Sequence, residues 1–226
     1  PTENAQARYL PQWIRKNLTE SEKETAVVLC NESLLQPVLH SLPEDVKHVN
    51  ITMGFPLSQT PVYSFVLALL ELQINGFNPK NGRFLFEQVI AVLKHPYTRQ
   101  QTTEAEALEK SLTQDNRFYP LPSELKKDEF LSHLFTPVSG ILPLTDYLLE
   151  ALQQVAVIYR KDKEKEQDEA LNQLYRESLF KAYTTFGRIR TLMEEGIMNI
   201  QPHTFRKLVV RILSTLNIPF HGEPAI

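Results

Sequence analysis

The sequence predicts a mainly α protein with a small α/β portion at its N-terminal side, and three observations lead there. Apolar residues recur at steps of three to five over most of the chain, the spacing of helices that bury one face. Only the stretches "TAVVLC" at 25–30 and "HVNIT" at 48–52 read as short strands before the final residues. Helix-opening prolines and turn-rich connections then punctuate the rest.

In order, "AQARYLPQWIRKNL" at 5–18 places Leu10, Trp13, Ile14 and Leu18 on one helical face, with Pro11 starting or kinking the helix. "TAVVLC" is a continuous apolar, β-branched run of the kind found in strands covered on both faces, which suggests a parallel sheet. "SLLQPVLHSL" follows as a helix and "HVNIT" as the second strand. "PVYSFVLALLELQI" at 61–74 opens with Thr60 as N-cap and Pro61 at the first helical position, where a missing N–H costs nothing. "NGFNPKNG" is a turn, and "RFLFEQVIAVLKHPY" at 83–97 is a helix stopped by Pro96. Further helices are expected at 104–114, 123–135, 143–160, 167–195 and 202–216. The fourth of these carries a core stripe of Leu171, Leu174, Leu179, Ala182, Phe186, Ile189 and Met193. The mixed-charge block "RKDKEKEQDEA" reads as a solvated connection. The organisation expected is an α/β portion at 1–58, a helical body at 59–216 and a return strand at 217–226.

Composition narrows the function classes. With 226 residues and 42% hydrophobic content the chain can bury a sizeable core. A net charge of -3 argues against a polycation that coats nucleic acid. Cys30 is the one cysteine, so no internal disulfide exists and a cytoplasmic location is expected. The longest apolar run is too short to cross a bilayer, so no membrane association is expected. Neither G-x-x-x-x-G-K-[ST] nor G-x-G-x-x-G occurs, so the Walker mode of nucleotide binding is absent. His40, His48, His95, His133, His203 and His221 show no zinc-ligand spacing. Ser139 lacks the frame of a nucleophile elbow, the adjacent Glu194 and Glu195 diverge on a helix, and Cys30 reads as a small buried hydrophobe. Neither a catalytic residue, a metal site nor a cofactor of this chain's own is assigned.

One asymmetry remains. Residues 176–211 hold seven basic groups (Arg176, Lys181, Arg188, Arg190, Arg206, Lys207, Arg211) against Glu177, Glu194 and Glu195, or +4, which leaves -7 for the remainder. Lys181 and Arg188 are seven apart and Lys207 and Arg211 four apart, so each pair shares a helix face able to meet phosphates. With Arg190 they form the candidate DNA-phosphate contacts, and an ordinary solvated face is the competing explanation.

Residues 25–73, above all "VNITMGFPL" with the helix "TPVYSFVLALLEL", resemble the motif IV region of superfamily 1 DNA helicases of the UvrD/RecB type, and more closely AddB-type helicase-nucleases. "RFLFEQVIAVLKHPY" and "IPFHGEPAI" are similar to later stretches of the same family. The resemblance implies an internal piece of a longer chain, running from the second motor lobe through a helical accessory insertion. It further implies ATP and Mg in the parent protein, the remaining motor and nuclease domains of the same chain, DNA (single-stranded or duplex) as partner, and a second helicase-nuclease subunit. Cys30 and Asn31 fall at the motif IV position. The family's motif IV usually directs an arginine at ATP phosphate there, and a neutral thiol cannot replace it; either a degenerate motor or a shifted register follows. The implied function is a DNA-engaging accessory region in double-strand-break repair or recombination. The alternatives are a helical protein-interaction scaffold without DNA contact and an independent helical hydrolase.

Overall fold

A computed structural model describes residues 2–17, 25–43, 46, 54–161 and 169–219. The chain divides into two compact units, one of Pro1–Gly54 with Pro219–Ile226 and the other of Phe55–Ile218.

In the first unit, α1 (Glu3–Asn17) packs against α2 (Leu35–Ser41), which a 3₁₀ turn at Glu32–Leu34 leads into. Ala7 and Ile14, two turns apart on α1, and Leu35 and Val38 on α2 are the buried positions. Pro11 sits inside α1 and Trp13 is exposed, so the apolar stripe is narrower than its spacing suggests. "TAVVLC" forms no strand: residues 25–29 lack regular structure, and Val28 is 84% exposed. β-branched composition raises strand propensity, but a strand exists only where a neighbour takes its N–H and C=O groups. No parallel pairing occurs among the described residues, and "HVNIT" lies outside them.

The second unit is helical. β1 (Phe55–Pro56) leads through a 3₁₀ turn into α3 (Pro61–Glu71). Pro61 occupies the first turn as expected, whereas the Thr60 hydroxyl turns back to donate to Leu57 O at 2.7 Å and does not cap. Val62, Phe65, Val66, Leu69 and Leu70 make α3 buried on more than one face. A π turn at Leu72–Gly76 continues it, followed by a hairpin that the sequence did not announce: β2 (Phe77–Asn78) and β3 (Arg83–Phe84), paired antiparallel with Phe77 opposite Phe84. The next helix therefore begins at Phe86, as α4 (Phe86–Leu93).

Pro96 does not end a helix; it opens α5 (Pro96–Gln101), because His95 caps that helix. After α6 (Glu104–Gln114), the single helix expected at 123–135 is two, α7 (Pro122–Leu125) and α8 (Glu129–Leu134). The break arises because Asp128 adopts extended backbone and accepts the Leu131 N–H at 2.7 Å, a fresh N-cap. Then α9 (Ile141–Lys161) and α10 (Glu169–Glu194) pack together, α11 (Pro202–Ser214) follows, and β4 (Asn217–Ile218) pairs antiparallel with β1.

The core joins α3, α4, α9, α10 and α11. Leu179, Ala182, Phe186 and Ile189 of the expected stripe are buried, while Leu174 and Met193 flank the core; the Leu171 side chain falls outside the described residues. Gly76 is required by close approach, since a Cβ there would stand 2.9 Å from Gln88 Cβ on α4. Gly196 (φ 72°) ends α10, with the Ile197 N–H reaching Leu192 O at 3.0 Å.

Candidate nucleic-acid interface

The basic segment becomes two helices, α10 and α11, that both rest on α3. On α10 the register against α9 is held by polar contacts along one edge: Arg190 Nε to Asp146 Oδ1 at 2.5 Å, and Gln153 Nε2 donating to Tyr183 Oη at 2.8 Å. With Leu179, Ala182, Phe186 and Ile189 turned inward, Lys181 and Arg188 are left on the outer face. Both are exposed, make no ion pair with any described residue, and stand two turns apart, ~10.5 Å along the axis.

On α11, Phe205, Val209 and Leu213 form the buried face. Lys207 and Arg211 lie exposed on another, with exposed His203 one turn before Lys207 in the same row, and neither cation is ion-paired among the described residues. Arg206 points elsewhere. Its Nε lies 2.9 Å from Glu71 Oε2 at an angle outside hydrogen-bond geometry, so this is a charge contact that ties α11 to α3.

Arg190 differs from the other four candidates. It pairs with Asp146 and, at 2.9 Å through Nη1, with Glu194. The hydrogen bond that Arg190 donates to Asp146, then the charges of Asp146 and Glu194, raise its pKa above the ordinary arginine value. A guanidinium already holding two carboxylates is poorly placed to bind phosphate as well. The candidate cations without a carboxylate partner among the described residues are thus Lys181, Arg188, Lys207 and Arg211.

Cys30 is exposed and so is not the buried hydrophobe expected of it. Asn31 Oδ1 accepts from the Ser33 N–H at 3.1 Å and the Ser33 hydroxyl at 2.8 Å, which starts the 3₁₀ turn before α2.

A Ser–His pair that the sequence did not reveal, because its members are 31 residues apart, links α3 to the start of α5: Ser64 Oγ lies 3.0 Å from His95 Nε2. Its hydrogen bonding excludes nucleophile activation. His95 Nδ1 accepts the Tyr97 N–H at 3.2 Å, so the ring proton is on Nε2 and points toward Ser64. The Ser64 hydroxyl donates in turn to Pro61 O at 3.0 Å. Burial lowers the His95 pKa to about 4, with the Pro61 carbonyl opposing that shift. A neutral imidazole that caps a helix is neither a base for Ser64 nor a ligand.

His133 is similarly occupied, its Nδ1 3.3 Å from Glu150 and its Nε2 3.0 Å from Tyr147 O. No group of three or more metal-ligating side chains occurs among the described residues. A groove of about 290 Å³ lies between Ile74, Phe77, Ser139, Leu144 and His203. Gln73, at its base, already donates to Thr136 O (3.1 Å) and accepts from the Val138 N–H (3.0 Å). The lining holds no carboxylate, lysine or arginine. Among the described residues no helix is long and apolar enough to cross a membrane. Comparison with protein families, curated proteins and solved structures finds no match to this chain.

Proposed function

We propose that the chain is a DNA-engaging accessory region of an ATP-dependent DNA helicase or helicase-nuclease of the AddB type, acting in double-strand-break repair or recombination. The observation that carries this reading is the set of four exposed cations, Lys181, Arg188, Lys207 and Arg211, without an ion pair among the described residues, in a segment of charge +4 within a chain of charge -3. The resemblance of residues 25–73 to the motif IV region adds to it. Phosphate contact by these helix faces is independent of base sequence and steers the strand while motor lobes hydrolyse ATP with Mg elsewhere in the parent protein. Arg190, first grouped with them, serves instead to fix α10 against α9.

A cytoplasmic setting, further motor and nuclease domains and a second subunit belong to the same proposal. The competing reading, a protein-interaction scaffold, draws on the -7 carried outside 176–211. Anisotropy titration of a short DNA over a salt series separates them. Four phosphate contacts give a log–log salt slope of roughly -3 to -4, and Lys181→Glu with Arg188→Glu reduces its magnitude by about two. Absence of binding at low salt refutes the proposal.

A further inference from the structure

The segment "NRFYPL" between α6 and α7 presents two adjacent aromatic rings to solvent: Phe118 is 62% and Tyr119 57% exposed. Exposed rings on a slack loop would mean little, but this backbone is tied down throughout. Asn116 takes a left-handed conformation (φ 50°) and redirects the chain after α6. The Arg117 N–H then reaches Leu112 O at 3.0 Å. The Phe86 and Phe84 N–H groups donate to Phe118 O and Pro120 O, each at 3.0 Å, so the strap lies antiparallel along β3. Arg83 Nη1 closes the arrangement on Tyr119 O at 2.8 Å. Below, the Phe118 ring meets Phe86 edge to face, centroids 6.2 Å apart. The Phe118 ring and the Tyr119 backbone are thus held in position before any ligand arrives.

The surrounding charge indicates what kind of ligand. Arg83 lies against the strap and Lys80 stands in the β2–β3 turn, while Arg117, just before the rings, is paired with Glu124. The nearby carboxylate of Glu124 is taken up by the Leu121 N–H (2.6 Å) and Arg117 (3.5 Å). Pro120 offers no N–H and the Tyr119 carbonyl is occupied, so the strap is blocked as an edge for strand addition. Aromatic faces beside guanidinium groups suit unpaired bases with their phosphates, and duplex DNA, whose bases are already stacked, presents nothing to such rings.

From this geometry we infer that the Phe118–Tyr119 strap is a base-stacking platform for single-stranded nucleic acid. It stands on other residues than the basic rows of α10 and α11 and does not depend on them. Because Glu87, next to Phe86, and Asp115, three residues before Phe118, are exposed, the rings rather than net charge carry the affinity, and the salt dependence is shallow.

The test uses the whole 226-residue chain and a labelled oligothymidylate of about 15 nucleotides, with a blunt duplex hairpin as comparison, read by anisotropy. Phe118→Leu with Tyr119→Leu keeps the apolar area and removes the π faces; it should weaken oligothymidylate binding about tenfold or more with an unchanged thermal melt. Tyr119→Trp should retain binding, and Lys181→Glu with Arg188→Glu should leave this component in place. Equal affinity of the double leucine variant, a duplex bound as tightly through the same rings, or sedimentation showing the rings buried between two copies of the chain each overturns the inference.

Discussion

Acidification from about pH 7.5 to about pH 5 destabilises the 55–218 body through one side chain, His95. The ring is buried beside Phe65 (centroids 4.9 Å) and Tyr97 (5.3 Å), and its Nδ1 must stay unprotonated to accept the Tyr97 N–H. Its pKa falls from 6.5 to about 4 on folding. Between those values the unfolded chain binds the proton and the folded chain does not, so this contribution is complete above the unfolded pKa and is lost as the pH falls toward the folded one. At ~1.36 kcal/mol per pH unit the whole contribution is about 3 kcal/mol, of which about 2 kcal/mol is gone by pH 5. The assay is urea unfolding followed by amide circular dichroism across this range. Fluorescence is unsuitable, because Trp13, the one tryptophan, belongs to the other unit. His95→Asn keeps an acceptor for the cap but does not titrate. It should be less stable than wild type near pH 7.5, having lost the ring contacts, and the two curves should converge as the pH falls. Curves that stay parallel between about pH 5 and about pH 6.5 would refute the reasoning.

Two glycines should respond in opposite directions. Gly76→Ala drives a methyl into Gln88 Cβ at 2.9 Å and should cost about 1–3 kcal/mol, whereas Gly187→Ala, with nothing within 4 Å of the added carbon inside α10, should stabilise by about 0.5–1 kcal/mol in thermal melts. Gln73→Leu strips partners from Thr136 O and the Val138 N–H and should cost about 1–3 kcal/mol, with faster amide exchange at Val138 as its signature.

What was legible in the sequence follows the range of the interactions involved. Helices α6, α9, α10 and α11 were readable because burial of one face imposes a period of about 3.6, and α3 because it is a long apolar run opened by Pro61. The misread strands share one cause: strands depend on distant partners. "TAVVLC" has the composition of a strand without a ladder, whereas Phe77 and Arg83 belong to two-residue strands whose turn was visible and whose pairing was not. The split at Asp128 and the opening of α5 at His95 are single-residue capping events that an apolar stripe runs straight across.

At the candidate interface, exposure of Lys181, Arg188, Lys207 and Arg211 followed from the same stripes, because the face opposite a buried one is solvated. The role of Arg190 did not, since Asp146 lies 44 residues away. Phe118 and Tyr119 could have been noticed as neighbouring aromatics between an Asn-Arg turn and a proline. Nothing local, however, distinguishes a displayed ring from a buried one.

The two-rung pairing of Phe55 with Ile218 and of Pro56 with Asn217 brings the extremities of this helical body side by side. Topologically the body is a closed ring with one clasp, so a few residues bridging the clasp would permit circular permutation, with new ends at an exposed turn such as Lys80–Asn81. The same clasp would let the body be grafted between two adjacent positions of an unrelated scaffold without stretching the host chain.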